Sequence, residues 1–295
     1  MELINFTKKV KNFYDDLPFN YHRTTNEACK DIRNNPIKTY PDVDKLFSSD
    51  KVNSIIEFGC GVGWFSNSAS YHYNLSAMGI DLSTKAVKRA RDVSLSLKIE
   101  QKTTFYNCDL FGYKKKQTYD FVVSIGVLPA VDDPLKGFMH IKDFVAPNKY
   151  LFIGLYHYYG RKVFKKLFDE ILDKYGEKEA LRKYRSLHRN LNDKILINSW
   201  FRDQVLHPSE KWHTLFDVTQ WLDSAGFELV STSINKFKPF SSIDDLIEME
   251  KEYEALSYKA NYKEKRYFPG FFTVLARKVD ENAVCLNEIR LEIKE

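Results

Sequence analysis

One stretch of this 295-residue sequence decides its fold: residues 54–64, which run SIIEFGCGVGW. Its first five residues predict a short buried strand, because β-branched and aromatic residues predominate and glycines follow. Glycines then occupy every second position, at Gly59, Gly61 and Gly63, and form a turn that side chains would block. A helix is predicted to begin at Trp64. Together, the strand, the glycine turn and the helix N-terminus predict a place where a ligand lies against backbone N–H groups.

The spacing of these glycines and the acid before them indicate which ligand binds. A dinucleotide site requires G-x-G-x-x-G, whereas the third glycine here comes one residue early. Glu57 precedes the first glycine by two residues, and an acid there suits a cationic group better than a pyrophosphate. The pattern E-x-G-x-G-x-G resembles motif I of the class I S-adenosylmethionine-dependent methyltransferases. In that family, the loop passes under the methionine end of the cofactor.

Three further landmarks follow in the expected order. Residues 76–80 predict a second strand that ends in Asp81, where a βαβ nucleotide site places the acid that holds the ribose hydroxyls. Residues 103–107 predict a third strand, and the resemblance implies that Asp109 after it accepts from the adenine amino group. Residues 119–128 resemble motif IV, the fourth strand and the edge of the methyl-transfer site. The alternative is a Rossmann-like domain whose loops bind nothing.

The resemblance covers roughly residues 50–155, and residues 215–277 more loosely. It implies the cofactor S-adenosyl-L-methionine, with S-adenosyl-L-homocysteine as the product. The implied cofactor contacts come from the glycine loop, the strand ends, motif IV and the N-terminal segment. They are Glu57, Phe58, Gly59, Gly61, Gly63, Asp81, Leu82, Asp109, Leu110, Ile125, Gly126, Tyr14 and Tyr21.

The alternation of strands and helices predicts an α/β fold: a Rossmann-like, doubly wound, seven-stranded and mostly parallel sheet. An N-terminal helical lid and a helical insertion after strand 5 are added to it. The predicted segments are a lid at 1–49, a cofactor-binding core at 50–157, an acceptor-site insertion at 158–213, the C-terminal part of the sheet at 214–280 and a tail at 281–295.

The lid prediction depends on helical spacing of apolar residues over 5–14, followed by an aromatic and polar cluster. In similar methyltransferases, a helix of this kind folds over the cofactor. Its expected contacts are Tyr14, Asn20 and Tyr21. The alternative is a helix that caps the edge of the sheet.

Composition limits the class of protein. The four cysteines are scattered without C-x-x-C spacing, so neither a disulfide framework nor a zinc site is predicted. No apolar run reaches about 18 residues, and the N-terminus lacks a signal-peptide pattern. The expected protein is soluble and cytoplasmic and has no membrane partner.

Positive charge concentrates in residues 161–189, which hold ten Lys/Arg and five Asp/Glu. This segment alone therefore equals the net charge of +5 of the whole chain. An electrostatic site for an anionic partner is one interpretation. The other interpretation is that these charges lie on solvated helix faces, and it is the preferred one.

An aromatic and polar cluster, residues 156–161, follows the fifth predicted strand (149–155). Ligands of open α/β sheets bind outside the carboxyl ends of the strands, so this cluster is expected beside the acceptor. Its aromatic faces could hold a cationic amine, and Arg161 could clamp a carboxylate. A second segment, 199–214, ends the insertion. The predicted acceptor-binding residues are Tyr156, His157, Tyr159, Arg161, Trp200, Asp203 and His207.

The second segment also contains four residues of metal-ligating types, Asp203, His207, Glu210 and His213. No H-E-x-x-H motif is present, and Pro208 breaks any helix that would align them, so no metal is predicted. The G-L-Y-H and S-W-F-x-D-Q segments are similar to those of a bacterial group of small-molecule methyltransferases.

The sulfonium of the implied cofactor is already activated, so alignment is the main catalytic task, and proximity can supply about 7–11 kcal/mol. A general base is needed only for an acceptor that arrives protonated. His157 and His207 match that role near neutral pH, Asp203 could orient one of them, and Tyr156 completes the predicted catalytic set. Motif IV continues V-L-P-A from residue 127, where family members often carry V-L-H-H, which removes one candidate base.

The leading prediction is an enzyme that methylates N or O of a small polar metabolite, with a homodimer as the candidate assembly. An RNA methyltransferase that uses residues 161–189 is the alternative, although no appended RNA-binding module or N-P-P-Y tetrad supports it. A catalytically silent binding subunit and a nicotinamide oxidoreductase are the others. The acceptor and the methylated atom stay open at this point.

Overall fold

The computed structural model describes residues 2–114, 116–188 and 191–279. The helices are α1 (Glu2–Asp16), α2 (Thr25–Arg33), α3 (Pro41–Phe47), α4 (Trp64–Tyr73), α5 (Thr84–Leu97), α6 (Pro134–Ile141), α7 (Tyr158–Leu187), α8 (Lys194–Val205), α9 (Leu215–Ser224), α10 (Ile243–Glu250) and α11 (Tyr253–Tyr258). The strands are β1 (Ser54–Phe58), β2 (Ser76–Asp81), β3 (Thr103–Asn107), β4 (Tyr119–Ile125), β5 (Val145–His157), β6 (Trp212–His213), β7 (Phe227–Thr232) and β8 (Phe271–Lys278). The predicted tail, 281–295, lies outside the described residues.

The strands form one sheet in the order β3-β2-β1-β4-β5-β8-β7, with β6 paired to β5. Strand β8 runs antiparallel to both β5 and β7, and the other pairs are parallel. The predicted mostly parallel, Rossmann-like sheet is therefore confirmed, with eight strands instead of seven. The additional strand, β6, has only two residues, which is too short for a recognisable sequence pattern.

Helices cover both faces of the sheet, so its central strands are buried on both sides. Along β1, the side chains of Ile55, Ile56, Glu57 and Phe58 are all buried. Phe58 packs into one apolar cluster and Ile55 into another, as expected when successive residues point to opposite faces. Glu57 differs from the other three because it is an acid that is buried among apolar neighbours.

Capping side chains set the starts of several helices. The Ser83 hydroxyl accepts from the Ala86 N–H at the start of α5. Asp133 caps α6 in the same way. A capping box between Thr214 and Asp217 begins α9. These local bonds fix where each helix leaves the carboxyl edge of the sheet.

The predicted lid segment divides into two parts. Helix α1 is the predicted helix, whereas α2 and α3 were not recognised in the sequence. Both of these pack into the domain: Ile32 of α2 lies with Val93 of α5, and Phe47 of α3 lies with Phe121 of β4. Much of residues 1–49 is thus part of the core packing.

The insertion after β5 forms a layer with its own apolar cluster. Helix α7 breaks at Gly176, where φ is 77° and ψ is 177°, so it consists of two helices. Phe168 and Tyr184 from these helices pack with Phe201 of α8. This packing brings α8 back beside the sheet. Among the described helices, none is long and apolar enough to cross a membrane.

Candidate active site

A cavity of about 550 Å³ opens at the carboxyl edge of the sheet. Its wall is formed by the glycine loop, the ends of β2, β4 and β5, and residues from α1 and α8. The predicted site residues that line it are Tyr14, Glu57, Gly59, Gly61, Asp81, Leu82, Asp109, Leu110, Ile125, Gly126, Tyr156, Trp200 and Asp203. One continuous space therefore joins the predicted cofactor loops to part of the predicted acceptor segments.

The glycines of the loop have different roles. All three have positive φ, 73° at Gly59, 51° at Gly61 and 77° at Gly63, a region that L side chains rarely adopt. A Cβ on Gly63 would lie 2.7 Å from the Cβ of Ala90, so this glycine allows α4 and α5 to pack. A Cβ on Gly61 would meet no atom within 4 Å, because it would project into the cavity. Gly61 thus leaves space that a ligand can use.

Asp81 lies at the end of β2 and holds the loop in place. Its carboxylate accepts from the N–H of Gly61 and from the N–H of Ser83, each at 2.8 Å. Burial raises the pKa of Asp81, while these two bonds act in the opposite direction. Asp109, after β3, also lines the cavity and accepts from the N–H of Phe111. Both acids stand where the sequence predicted contacts with an adenosine.

Glu57 lines the cavity although its side chain is 2% exposed. Its carboxyl accepts from the hydroxyl of Ser66 at 2.5 Å and from the N–H of Ser66 at 3.1 Å. Burial raises the pKa of Glu57 to about 8. The group is therefore largely neutral at pH 7 until a cation lies beside it.

Three residues predicted to contact the cofactor do not line the cavity. Phe58 is buried in the core beneath the loop. Gly63 faces α5, as described above. The hydroxyl of Tyr21 accepts from Arg89 at 2.9 Å, and the Arg89 guanidinium lies 4.1 Å from the centre of its ring. These contacts give each residue a packing role in this structure.

Asp203 forms the centre of the polar cluster on the acceptor side. Its carboxylate accepts from the hydroxyl of Tyr14 at 2.6 Å and from the hydroxyl of Tyr156 at 3.2 Å. The amide of Gln204 donates to it at 2.8 Å and to the Tyr156 hydroxyl at 2.9 Å. Burial raises the pKa of Asp203 and of both phenols. The two hydroxyls are consequently donors, and the carboxyl can hold a proton more readily than an exposed aspartate.

Arg161 lies behind this cluster and is fully buried. Its Nε and Nη2 donate to the carboxylate of Glu210 at 2.8 and 2.6 Å, and its Nη1 and Nη2 donate to Gln204. Its guanidinium also stacks 4.0 Å from the ring centre of Tyr156. With these donors engaged, the structure places Arg161 as a support for Gln204 and Tyr156. This geometry does not support the prediction that Arg161 clamps a carboxylate of the acceptor.

Both predicted histidine bases lie outside the cavity wall. His157 is fully buried, and its Nε2 lies 2.8 Å from the carboxylate of Glu250 on α10. His207 packs edge-on against Phe13, and its Nδ1 accepts from the N–H of Ser209. Burial lowers the pKa of His207. Their role as bases stays a prediction, and their surroundings favour packing.

Tyr159 also lies outside the cavity wall, next to the His157 ring at a centroid distance of 5.8 Å. Trp200, by contrast, lines the cavity, and its indole N–H donates to the side chain of Asn20 at 3.1 Å. The Trp200 ring stacks on Phe19 at 6.2 Å. The predicted lid segment and the insertion are thus joined directly over the site.

Several lining residues were missed in the sequence. They are Phe19, Tyr40, Trp64, Gln204, Tyr267 and Phe271. Gln204 belongs to the S-W-F-x-D-Q segment, so a signal for it existed. Tyr267 comes from the irregular stretch before β8, and no local pattern marks it. Among the described residues, no group of three or more His, Cys, Asp or Glu side chains could hold a metal ion.

Comparisons with known proteins agree with this architecture. The sequence profile of the family described as "Methyltransferase domain" matches residues 37–232. Malonyl-[acyl-carrier protein] O-methyltransferase 2 from Ilyobacter polytropus is 22% identical over 209 residues, which are 70% of this chain and 76% of that protein.

Two solved structures illustrate the likeness in fold. Magnesium protoporphyrin IX methyltransferase (ChlM) from Synechocystis PCC 6803 with bound SAH has a TM-score of 0.53 and 15% identity, and the match covers 92% of this chain and 99% of that one. PKMT2 from Rickettsia typhi in complex with AdoHcy has a TM-score of 0.56 and 13% identity over 81% of this chain. The present chain spans 52% of that longer protein. At such identities the likeness concerns the fold alone.

Proposed function

Because this chain belongs to the methyltransferase domain family, we propose that it moves a methyl group from S-adenosylmethionine to N or O of a small polar metabolite. The comparisons confirm one part of the prediction from the sequence: the protein is an S-adenosylmethionine-dependent methyltransferase. The nature of the acceptor is the proposal.

The cavity wall fits the cofactor. Space is open above Gly61, and the carboxyl of Glu57 faces the cavity without a basic partner. Among the lining residues that the structure describes, five are acids and none is Lys or Arg. Asp81 and Asp109 would hold the adenosine, and Glu57 would face the cationic methionine end. When bound, the cofactor supplies a methyl group on a positively charged sulfur.

The protein's own contribution is to align the acceptor and to exclude water. Tyr156 and Asp203 would face the acceptor, while Ile125 and Gly126 follow β4, which lies between β1 with its glycine loop and β5 with Tyr156. Residues of α1 and α8 close the space from outside. Holding two reactants in line in such a site can contribute about 7–11 kcal/mol to the rate.

The size and closure of the cavity carry the proposal of a small acceptor. About 550 Å³ lies within the range of roughly 300–1,000 Å³ typical of small-molecule sites, and here it must hold cofactor and acceptor together. Contacts between the N-terminal segment and α8 close it, among them Tyr14 with Asp203, Asn20 with Trp200, and Asp16 with Arg202 at 2.5 Å. A polynucleotide would have to separate these contacts to reach the site.

The charges of the insertion do not favour the alternative of an RNA methyltransferase. Lys165 pairs with Asp169 at 3.0 Å, and Arg182 pairs with Glu179 at 2.6 Å. Arg161 is buried against Glu210. These three basic residues are thus paired with acids of the insertion itself and do not form a free site for an anionic partner.

A labelling experiment tests the proposal. The purified protein is incubated with S-adenosylmethionine tritiated on its methyl group and, separately, with a small-metabolite extract, tRNA or a protein extract. We expect label to appear in the small-metabolite fraction. Transfer to tRNA or to protein instead would overturn the proposed acceptor class.

Cofactor binding is measured on the same preparation as a separate test. S-adenosylhomocysteine at about 100 times its Kd should stabilise the fold by roughly 2.7 kcal/mol, whereas NAD should have no effect. A preparation that shows no such stabilisation contradicts the fit of the cavity to the cofactor.

A further inference from the structure

We propose that the acceptor is an amine that enters as an ammonium ion, and that the carboxylate of Asp203 binds this ion and takes up its proton. This inference rests on the proposed function, because it names the chemical class of the acceptor. Three observations carry it: Asp203 has no cationic hydrogen-bond partner, its carboxylate has an open acceptor position, and aromatic side chains line the same cavity.

The first observation is that Asp203 faces the cavity without a cation of its own. The groups that donate to it are the two phenols and the amide of Gln204, all of them neutral. The nearby guanidinium of Arg161 is bound to Glu210 through two hydrogen bonds. A carboxylate in a water-poor wall is costly unless a positive charge pairs with it. A cationic acceptor would supply that charge.

The second observation is the remaining capacity of this carboxylate. Oδ1 accepts from Tyr14, and Oδ2 accepts from Tyr156 and Gln204. A carboxylate offers about four acceptor positions, so one stays available for a further donor. The three bonds that exist fix the orientation of the carboxylate. An ammonium group, which has three N–H donors, can use the open position.

The third observation concerns the neighbouring walls. Tyr156, Trp200, Tyr267 and Phe271 line the same cavity as Asp203. Aromatic faces attract cations, most strongly when water is excluded. The lining residues that the structure describes include no Lys or Arg that could hold a carboxylate or a phosphate. The site therefore favours a cationic acceptor over an anionic one.

The proton balance of the reaction follows from this arrangement. Asp203 takes one proton from the ammonium ion and becomes a neutral carboxylic acid, while the acceptor becomes an amine with a free lone pair. That lone pair forms the new C–N bond as the S–C bond breaks, and the bonding electrons stay on sulfur. The product leaves as a methylated ammonium ion, and Asp203 releases its proton to water. Burial raises the pKa of Asp203, which favours the proton uptake.

Several titratable and charged groups surround Asp203 and shape its response to pH. Burial has the largest effect on its pKa and raises it, while His207, Arg161 and hydrogen bonds from the two phenols lower it. The phenols of Tyr14 and Tyr156 keep their protons over the working range, because burial raises their pKa well above the usual value. Asp203 and the acceptor are therefore the groups expected to dominate the pH dependence on the acceptor side.

The binding test uses two matched sets of compounds. One is phenethylamine, 2-phenylethanol and phenylacetate; the other is cyclohexylamine, cyclohexanol and cyclohexanecarboxylate. Each compound is titrated into the protein saturated with S-adenosylhomocysteine and followed by calorimetry. We expect binding of at least one amine, and binding at least about tenfold weaker for its alcohol and its carboxylate. Equal or tighter binding of an alcohol or a carboxylate, or no binding of either amine, overturns the inference.

The variant Asp203→Asn keeps the shape of the side chain and removes its charge. It should bind S-adenosylhomocysteine as the wild type does, lose the preference for the amine and lower kcat about 100-fold or more. Asp193→Asn is the matched control on the same helix: Asp193 caps α8 outside the cavity wall, and asparagine caps equally well. Unchanged amine preference in Asp203→Asn would overturn the inference.

The pH profile separates proton uptake from a merely structural role. In the wild type, kcat/KM for the amine should fall towards acid, as Asp203 becomes protonated before the acceptor binds. In Tyr156→Phe, which keeps the carboxylate, this acid limb should persist, although shifted. In Asp203→Asn the acid limb should follow only the ionisation of the free amine, so a limb that keeps the wild-type midpoint contradicts the inference. Transfer of label to an alcohol or a carboxylate would overturn this inference and leave the proposed function intact, whereas failure to bind S-adenosylhomocysteine would refute both.

Discussion

The hydroxyl of Tyr14 on α1 donates a 2.6 Å hydrogen bond to the carboxylate of Asp203 on α8, 189 residues further along the chain. Both residues line the cavity, so this bond joins the N-terminal segment to the acceptor wall. Closure of the site by α1 and orientation of Asp203 are therefore linked through one contact.

Tyr14→Phe should lower kcat/KM for the acceptor by about tenfold or more, since a hydrogen bond to a charged group contributes roughly 1.5–3 kcal/mol. Initial rates at saturating S-adenosylmethionine measure this effect. Tyr175→Phe is a suitable control, because Tyr175 is exposed on α7 and does not line the cavity. An unchanged kcat/KM in Tyr14→Phe would show that the bond has no part in catalysis.

Glu57→Gln should change how stability depends on pH. Burial raises the pKa of Glu57 from its ordinary 4.5 to about 8, so between these values the folded chain holds a proton that the unfolded chain has released. The contribution of protonated Glu57 is fully present below the lower value and is lost as pH rises towards the upper one. The Tm of Glu57→Gln relative to the wild type, both without ligand, should therefore increase from pH 5 to pH 8. A pH-independent difference in calorimetry would contradict this.

Cofactor binding near pH 7 should release a proton from Glu57. A cation beside the carboxyl favours its ionised form and lowers the raised pKa. Calorimetric titration of S-adenosylmethionine in two buffers with different enthalpies of ionisation measures the number of protons released. In Glu57→Gln the buffer dependence should disappear; if it persists, the proton comes from another group.

The two loop glycines should fail in different ways when replaced by alanine. Gly63→Ala places a Cβ 2.7 Å from Ala90 and 2.8 Å from Asn67, so we expect it to lower the Tm. Gly61→Ala meets no protein atom, so it should largely keep the fold and lose affinity for S-adenosylhomocysteine. Both carry the same backbone strain of positive φ, which makes them matched variants. Equal affinity in Gly61→Ala and the wild type would show that the ligand does not approach this part of the loop.

His157→Gln should affect stability more than catalysis. The His157 ring bonds to the buried Glu250, and an unsatisfied buried group costs about 1–3 kcal/mol. We expect a lower Tm and little change in kcat with an amine acceptor. A kcat that falls about 100-fold at unchanged Tm would instead support the base predicted from the sequence.

The cofactor half of the site could be predicted because its signals are local. A strand that ends at Phe58, a turn that only glycines can adopt and an acid after the next strand are each defined by neighbouring residues. Parallel strands bring their carboxyl ends to one edge, so such local signals also place the site. Phe58, Gly63 and Tyr21 were the exceptions; the side chain of Phe58, for example, points to the face of the strand that is buried in the core.

Which residues of the predicted acceptor segments face the cavity depends on where the neighbouring strand and helix end. Strand β5 continues to His157, two residues beyond its predicted end, so Tyr156 and His157 lie on opposite faces and only Tyr156 reaches the cavity. Helix α8 ends at Val205, and so His207 does not share the helical face of Asp203 that a spacing of four residues would otherwise give.

The sequence by itself determined the class of fold and the cofactor, because periodicity, glycine spacing and capping are properties of adjacent residues. Only the tertiary structure decided which polar side chains face the cavity. Arg161 and Asp203 look alike in the sequence, as charged residues in acceptor segments, but packing of α7 against α8 buries one with Glu210 and leaves the other facing the cavity. Glu210, which pairs with Arg161, and Tyr14, which donates to Asp203, are each more than 40 positions away from their partners, so no local pattern records these contacts.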